Sequence, residues 1–222
     1  MRVLVVGATG PTGRIICHRL QENGTDFSDR AEVVAFLPPI FDASVLAPLT
    51  QRRIGDLENL TPGLLDDIAV VVFAAASVSK TDFEKTVDVD RKGAIALIDL
   101  ARESGVRHFV MLSAKGADDP DNTEDAIRHY MQAKRAVDDY LIASGVSYTI
   151  CRPVRLTNDS GTGRVTIAKT VDPIAKISRE DLADVMIIAM THTALQDCII
   201  ELGPGTTPID LAIASYSAEN CS

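Results

Sequence analysis

The amino-terminal stretch is Gly7-Ala8-Thr9-Gly10-Pro11-Thr12-Gly13-Arg14, directly after the apolar run Val3-Leu4-Val5-Val6. Its glycines stand three residues apart where a strand turns into a helix. Such a connection needs glycine at three places: Gly7 at the sharp turn, Gly10 where the backbone approaches a phosphate, and Gly13 where the helix packs on the strand. Free N–H groups at the helix start would face the phosphates. The stretch predicts a pyrophosphate cradle for a dinucleotide; the alternative is a glycine-rich turn that only connects two elements.

Short β-branched runs alternate with longer helical patterns along the rest of the chain. The candidate strands are 3–6, 33–36, 70–73, 109–112, 148–151 and 198–201, and the candidate helices are 12–22, 83–104, 124–144, 179–191 and 208–217. Most of the strand runs are too apolar to have a wet face. The pattern predicts an α/β fold of the doubly wound Rossmann type, with a mostly parallel sheet and helices on both faces.

The length of 222 residues favours a single domain over residues 1–222. The stretch from about 154 to 176, with Gly161, Gly163 and Pro173, is predicted to be the longest irregular segment. In such a fold it would lie above the carboxyl ends of the strands and cover the substrate.

The composition is that of a soluble globular protein, with 46% apolar and 24% charged residues. A net charge of −9 would repel nucleic-acid phosphates and anionic lipid, so neither is expected as a partner. No apolar run approaches the roughly 18 to 20 residues of a spanning helix. We expect the four scattered cysteines, Cys17, Cys151, Cys198 and Cys221, to be thiols in a cytoplasmic protein.

The glycine stretch resembles the fingerprint of the atypical short-chain dehydrogenase/reductases. Further stretches follow in that family's order: Gly55-Asp56-Leu57, Ala74-Ala75-Ala76-Ser77, Leu112-Ser113-Ala114-Lys115-Gly116-Ala117, Tyr130-Met131-Gln132-Ala133-Lys134-Arg135, Cys151-Arg152-Pro153 and 177–185. The likeness covers nearly the whole chain. It is strongest to the small NmrA-like and NAD(P)H-binding members, which have little beyond the Rossmann core.

This resemblance implies a set of cofactor contacts. The family places an Asp at the adenine, the chain after the fourth strand at the adenine ribose, a lysine at the nicotinamide ribose and a proline at the nicotinamide. The residues so implied are Gly7, Thr9, Gly10, Pro11, Thr12, Gly13, Arg14, Asp56, Leu57, Ala74, Ala75, Ala76, Lys134 and Pro153.

The choice between NADP and NAD is usually made at the end of the second strand. Here that strand ends Phe36-Leu37-Pro38-Pro39, with neither an acid for the ribose hydroxyls nor a base for a 2′-phosphate. Arg14 would reach a 2′-phosphate, whereas Asp42 would serve a ribose hydroxyl. We expect NADP, with NAD as the alternative, and a solvated helix position is the competing interpretation of Arg14.

Tyr130 and Lys134 are four residues apart and so share one face of the predicted helix. An adjacent ammonium stabilises a phenolate, which suits proton transfer by Tyr130. Ser113, at a strand end, would hydrogen-bond the substrate oxygen. Ser113, Tyr130 and Lys134 match the family's catalytic Ser-Tyr-Lys arrangement, although its supporting Asn has no match and many atypical members have lost this chemistry.

The leading hypothesis is an NAD(P)H-dependent oxidoreductase that reduces a small carbonyl, quinone or flavin-like acceptor. A non-catalytic NAD(P)-binding redox sensor or regulator is the alternative, because the chain is short after the sixth strand. A sugar-nucleotide epimerase or dehydratase is a weaker one. The histidines, at 18, 108, 129 and 192, lie on different predicted elements and support neither a metal site nor a Ser-His-Asp triad. The oligomeric state stays open.

Overall fold

The computed structural model describes residues 1–22, 31–39, 46, 50–75 and 83–220, with the backbone alone at 83–90 and 220. The strands are β1 (Arg2–Val6), β2 (Glu32–Leu37), β3 (Gln51–Ile54), β4 (Val70–Phe73), β5 (His108–Leu112), β6 (Tyr148–Pro153), β7 (Arg155–Thr157), β8 (Arg164–Ala168), β9 (Lys176–Ser178), β10 (Cys198–Pro204) and β11 (Thr207–Pro208). The helices are α1 (Pro11–Arg19), α2 (Phe83–Glu103), α3 (Asp125–Ala143), α4 (Arg179–Ala189) and α5 (Ile209–Asn220).

One large sheet has the strand order β11-β8-β10-β6-β5-β4-β1-β2-β3. From β10 to β3 every neighbouring pair is parallel, and β8 and β11 add an antiparallel edge. The chain order reverses between β1 and β4. Ligands of doubly wound sheets bind in the crevice at such a reversal, beyond the carboxyl ends of the strands. The predicted fold class is confirmed.

Each central strand is buried on both faces, which explains its continuous apolar run. Along β1, Val3 and Val5 pack into the core beneath α1, α4 and α5, whereas Leu4 and Val6 pack into the core beneath α2 and α3. The two cores hold the helices against opposite faces of the sheet.

The segment 154–176 is not irregular as expected, because it contains β7 and β8. In β8, Val165 is fully buried while Arg164 and Thr166 are exposed, so the short alternating run forms a strand near the sheet edge with one wet face. β7 pairs in parallel with β9 in a separate two-stranded sheet. The segment therefore contains two paired strands joined by irregular chain.

A buried ion pair ties this segment to the sheet. Glu201 on β10 is only 3% exposed and accepts a hydrogen bond from Lys115 Nζ at 2.9 Å. Its other oxygen accepts the backbone N–H of Val171 at 2.9 Å. Lys115 follows β5, so the Glu201 carboxylate joins the end of β5 and the middle of β10 to the chain beyond β8.

The cysteines differ in state. Cys17 and Cys151 are free and buried, and burial raises the pKa of each thiol to about 12. Cys198 is disulfide-bonded, and its partner lies outside the described residues, so the expectation of four thiols is wrong for Cys198. Among the described residues, no helix combines the length and apolarity needed to cross a membrane.

His108 is a buried neutral group at the start of β5. Its Nε2 lies 2.9 Å from Thr149 Oγ1, whose hydrogen is donated to Leu195 O at 2.7 Å. Nε2 must therefore carry a hydrogen and donate it, which leaves Nδ1 to accept from Ser147 Oγ at 3.2 Å. Burial lowers the pKa of His108 to about 4, a shift that Asp197 opposes.

We predict that His108 makes the protein less stable in mild acid. The unfolded state takes up a proton near pH 6.5 and the folded state only near pH 4. The contribution is therefore complete above pH 6.5 and declines by about 3 kcal/mol down to pH 4. Urea unfolding between pH 7 and 4 should show a shallower decline in His108→Gln than in the wild type. His18→Gln, at an exposed histidine, should follow the wild-type curve; parallel curves for His108→Gln would refute the assignment.

Candidate cofactor and active site

The turn after β1 requires glycine at two positions. Gly7 has φ +79°, and a Cβ there would lie 2.6 Å from the backbone nitrogen of Ala75. A Cβ on Gly13 would lie 2.1 Å from the carbonyl oxygen of Gly7. The end of β1, the start of α1 and the chain after β4 are thus in direct backbone contact at the reversal of strand order.

The start of α1 forms an open cradle. Gly10 is its N-cap with extended backbone and no side-chain capping hydrogen bond, and a Cβ there would approach only Gly7 O, at 3.2 Å. Pro11 occupies the first turn, and Arg14 N donates to Gly10 O at 2.9 Å. The N–H groups of Thr12 and Gly13 precede the first position that has an acceptor within the helix. This cradle fits a pyrophosphate.

The next expected cofactor residues follow β3 and β4. Asp56 is exposed, and its Oδ1 accepts the backbone N–H of Glu58 at 3.0 Å. Leu57 packs on α2 so tightly that a Cβ at Gly93 would lie 2.7 Å from the Leu57 Cβ. Asp56 therefore has an exposed carboxylate, whereas the Leu57 side chain packs against Gly93 on α2.

The chain after β4 continues the floor of the crevice. Ala74 N donates to Val6 O at 2.9 Å, and Ala74 is buried while Ala75 is half-buried. Ala76 lies outside the described residues, as does Asp42. Thr9, which is half-buried, and Pro11, which is exposed, flank Gly10 in the chain.

Arg14 is exposed and lines a groove of about 510 Å³ between α1, α4 and the chain after β7. His18 lines the same groove, and so does Arg179, which donates to Asn158 Oδ1 at 2.7 Å. Pro11 lines the groove too, so the groove that holds Arg14 extends to the start of α1.

Tyr130 and Lys134 meet on one face of α3. Lys134 Nζ lies 5.7 Å from the centroid of the Tyr130 ring, within the range of a cation–π contact. The same nitrogen donates to Leu112 O at 2.9 Å. The ammonium is therefore held at the carboxyl end of β5, next to Ser113 in the chain.

Ser113 is part of a buried polar cluster that sequence reasoning missed. Ser113 is 3% exposed, and its hydroxyl donates to Asp138 Oδ2 at 2.8 Å. The same oxygen accepts from Arg152 Nε at 3.0 Å and forms an ion pair with Nη2, 2.9 Å away. Asp138 lies one turn after Lys134 on α3, and this spacing of an acid on a buried helix face was the available signal.

The cluster brings opposite charges together out of water. Asp138 is fully buried and Arg152 is 7% exposed. Burial raises the pKa of Asp138, and the Arg152 guanidinium opposes that shift. Pro153, also buried, follows Arg152 and accepts the N–H of Lys115 at 2.9 Å on its carbonyl. Arg152 thus anchors the strand end at which the nicotinamide contact was expected.

The family comparison agrees with this architecture. A family model described as NAD(P)H-binding matches residues 7–193, which include the glycine cradle, the Ser113 cluster and the Tyr130–Lys134 pair. The chain belongs to this NAD(P)H-binding family. The resemblance to atypical short-chain dehydrogenase/reductases is confirmed, and the cofactor is a nicotinamide dinucleotide.

Relatives match over nearly the full length of this family member. The uncharacterized sugar epimerase YhfK of Bacillus subtilis (strain 168) is 34% identical over 218 residues, covering 96% of this chain and 99% of its own. Sanguinarine reductase of Eschscholzia californica is 25% identical over 258 residues, covering 98% and 94%. An NAD-dependent epimerase/dehydratase-like structure from Bacillus halodurans has a TM-score of 0.87 at 31% identity, covering 97% and 99%.

We predict that Gly10→Ala weakens dinucleotide binding without unfolding the protein. The backbone at Gly10 suits alanine and the added methyl meets only one atom closely, but it occupies the cradle. Affinity in calorimetric titrations with NADPH and NADH should fall at least about tenfold. Gly203→Ala is the control, since its Cβ would make an ordinary 3.5 Å contact with Val171. Wild-type affinity in Gly10→Ala would show that the cradle does not hold the phosphates.

Proposed function

We propose that this chain is an NAD(P)H-dependent oxidoreductase that reduces a small carbonyl, quinone or flavin-like acceptor. The observation that carries the proposal is the Tyr130–Lys134 pair at the carboxyl end of β5. The glycine cradle follows β1, and only β4 lies between these strands, so roughly 10 Å separates the two ends. The name of sanguinarine reductase supports this reaction class.

The residues of α3 would carry the proton. When bound, the dinucleotide supplies a hydride to the acceptor. Tyr130 donates its phenolic proton to the oxygen or nitrogen that gains charge, and the Lys134 ammonium stabilises the phenolate that remains. Solvent then returns a proton to Tyr130. Lys134 would also hold the nicotinamide ribose, and the segment 154–176 would cover the acceptor.

We predict that Tyr130→Phe lowers kcat at least about a hundredfold, because the proton donor is lost. The test is consumption of NADPH or NADH with a panel of carbonyl, quinone and flavin acceptors. Tyr140→Phe is the matched control on the same helix, since the Tyr140 hydroxyl donates to Asp99 on α2 at 2.8 Å. Both variants should bind the dinucleotide as the wild type does. Undiminished kcat in Tyr130→Phe would refute the assigned role.

We further propose that NADP is the preferred dinucleotide, with Arg14 as the contact to the 2′-phosphate. Arg14→Gln should then weaken NADPH binding about tenfold and leave NADH binding unchanged in calorimetric titrations. Arg107→Gln controls for the loss of one positive charge, because Arg107 is exposed and precedes β5 at the opposite end of the sheet. Equal losses for both dinucleotides in Arg14→Gln would argue against a 2′-phosphate contact.

Two other functions make different predictions. The name of YhfK favours an epimerase, which would convert sugar nucleotides with no net consumption of NAD(P)H. A redox sensor would bind oxidised and reduced dinucleotide with different affinities and show no turnover. Net NAD(P)H oxidation that depends on the acceptor and on Tyr130 would favour the reductase over both.

A further inference from the structure

Both hydrogen-bond donors of Ser113 are already engaged. Its backbone N–H donates to Cys151 O at 2.8 Å, and its hydroxyl donates to Asp138 Oδ2 at 2.8 Å. An ionised carboxylate can only accept hydrogen bonds, so the hydroxyl hydrogen must point towards Asp138. Burial raises the pKa of Asp138, but the Arg152 guanidinium against the same oxygen opposes that shift and favours the ionised carboxylate.

The Lys134 ammonium donates to a different group. Lys134 Nζ donates a hydrogen bond to the carbonyl oxygen of Leu112, the residue before Ser113. Ser113 Oγ can therefore offer another molecule only its lone pairs, which accept hydrogen bonds. A bare carbonyl oxygen brought to Ser113 Oγ would find no hydrogen to accept, whereas an N–H or O–H group would find an acceptor.

We propose that Asp138 is a positioning residue that fixes Ser113 as a hydrogen-bond acceptor, and that the preferred acceptor molecule carries an N–H or O–H group near its reducible atom. This inference rests on the proposed reductase function, with Ser113 in contact with the acceptor molecule, and it narrows the substrate class. Flavin-like compounds and hydroxy ketones meet the requirement. Simple quinones and ketones do not.

Matched acceptor pairs test the inference. Riboflavin and 3-methylriboflavin differ by one N–H, and acetoin and 3-methoxybutan-2-one differ by one O–H. For a pair that is reduced, kcat/KM of the donor-bearing member should exceed that of its methylated partner at least about tenfold in the wild type. In Ser113→Ala the ratio should fall to near one.

Two Asp138 variants separate positioning from mere structural support. Asp138→Asn retains an oxygen that accepts the Ser113 hydrogen, so the ratio should persist even where stability drops. The double variant Asp138→Leu/Arg152→Met removes both buried charges together, which buried ion pairs often tolerate. It frees the Ser113 hydroxyl, and the ratio should fall towards one. Unchanged dinucleotide affinity in each variant checks that the cofactor site is intact.

The outcomes are distinct. Turnover with a ratio near one in the wild type, or a ratio that survives in Ser113→Ala, overturns the inference and leaves the reductase proposal standing. Loss of the ratio in Asp138→Asn as well overturns the positioning role of Asp138. Absence of turnover with every acceptor, carbonyl, quinone and flavin alike, overturns the reductase proposal and this inference with it.

Discussion

The approach of α1 to the turn after β1 is the constraint on which the site depends. The 2.1 Å that would separate a Gly13 Cβ from Gly7 O leaves no room for any side chain at that contact. Because Gly7 also touches the backbone of Ala75, the helix start is held over the ends of β1 and β4 together. The uncapped N–H groups therefore face the crevice at the reversal of strand order, where an anion gains most from them.

Helix α3 positions the other half of the site, because residues four apart lie on one face of a helix. Tyr130, Lys134 and Asp138 lie on one face, and the last two bond the end of β5 through Leu112 O and the Ser113 hydroxyl. Arg152 on β6 donates to the Asp138 carboxylate as well, so this strand is joined to α3 too. A buried ion pair is weak evidence for stability, since apolar residues of similar volume often serve as well. Its evident effect here is to fix how α3 is placed against two strand ends.

Much of this arrangement was predictable because it is local in the sequence. The glycine spacing sets β1 and α1, continuous apolar runs mark strands buried on both faces, and a spacing of four places Lys134 beside Tyr130. The four-residue spacing places Asp138 on the same helix face, but its partners Ser113 and Arg152 come from strand pairings that no local period records. β8 was missed for another reason: its short alternating run lies next to glycines that favour a loop assignment.

The net charge of the chain bears on the two buried ion pairs, Asp138–Arg152 and Glu201–Lys115. A chain of net charge −9 repels an anionic dinucleotide at long range, so binding must come from groups within about 8 Å, the screening length at physiological salt. Unpaired acids near the crevice would oppose it. Asp138 is matched by Arg152 and Glu201 by Lys115, and both acids are almost fully buried. Among the described residues, these two carboxylates are paired in place, so they oppose the positive start of α1, Lys134 and the exposed Arg14 less than free acids would.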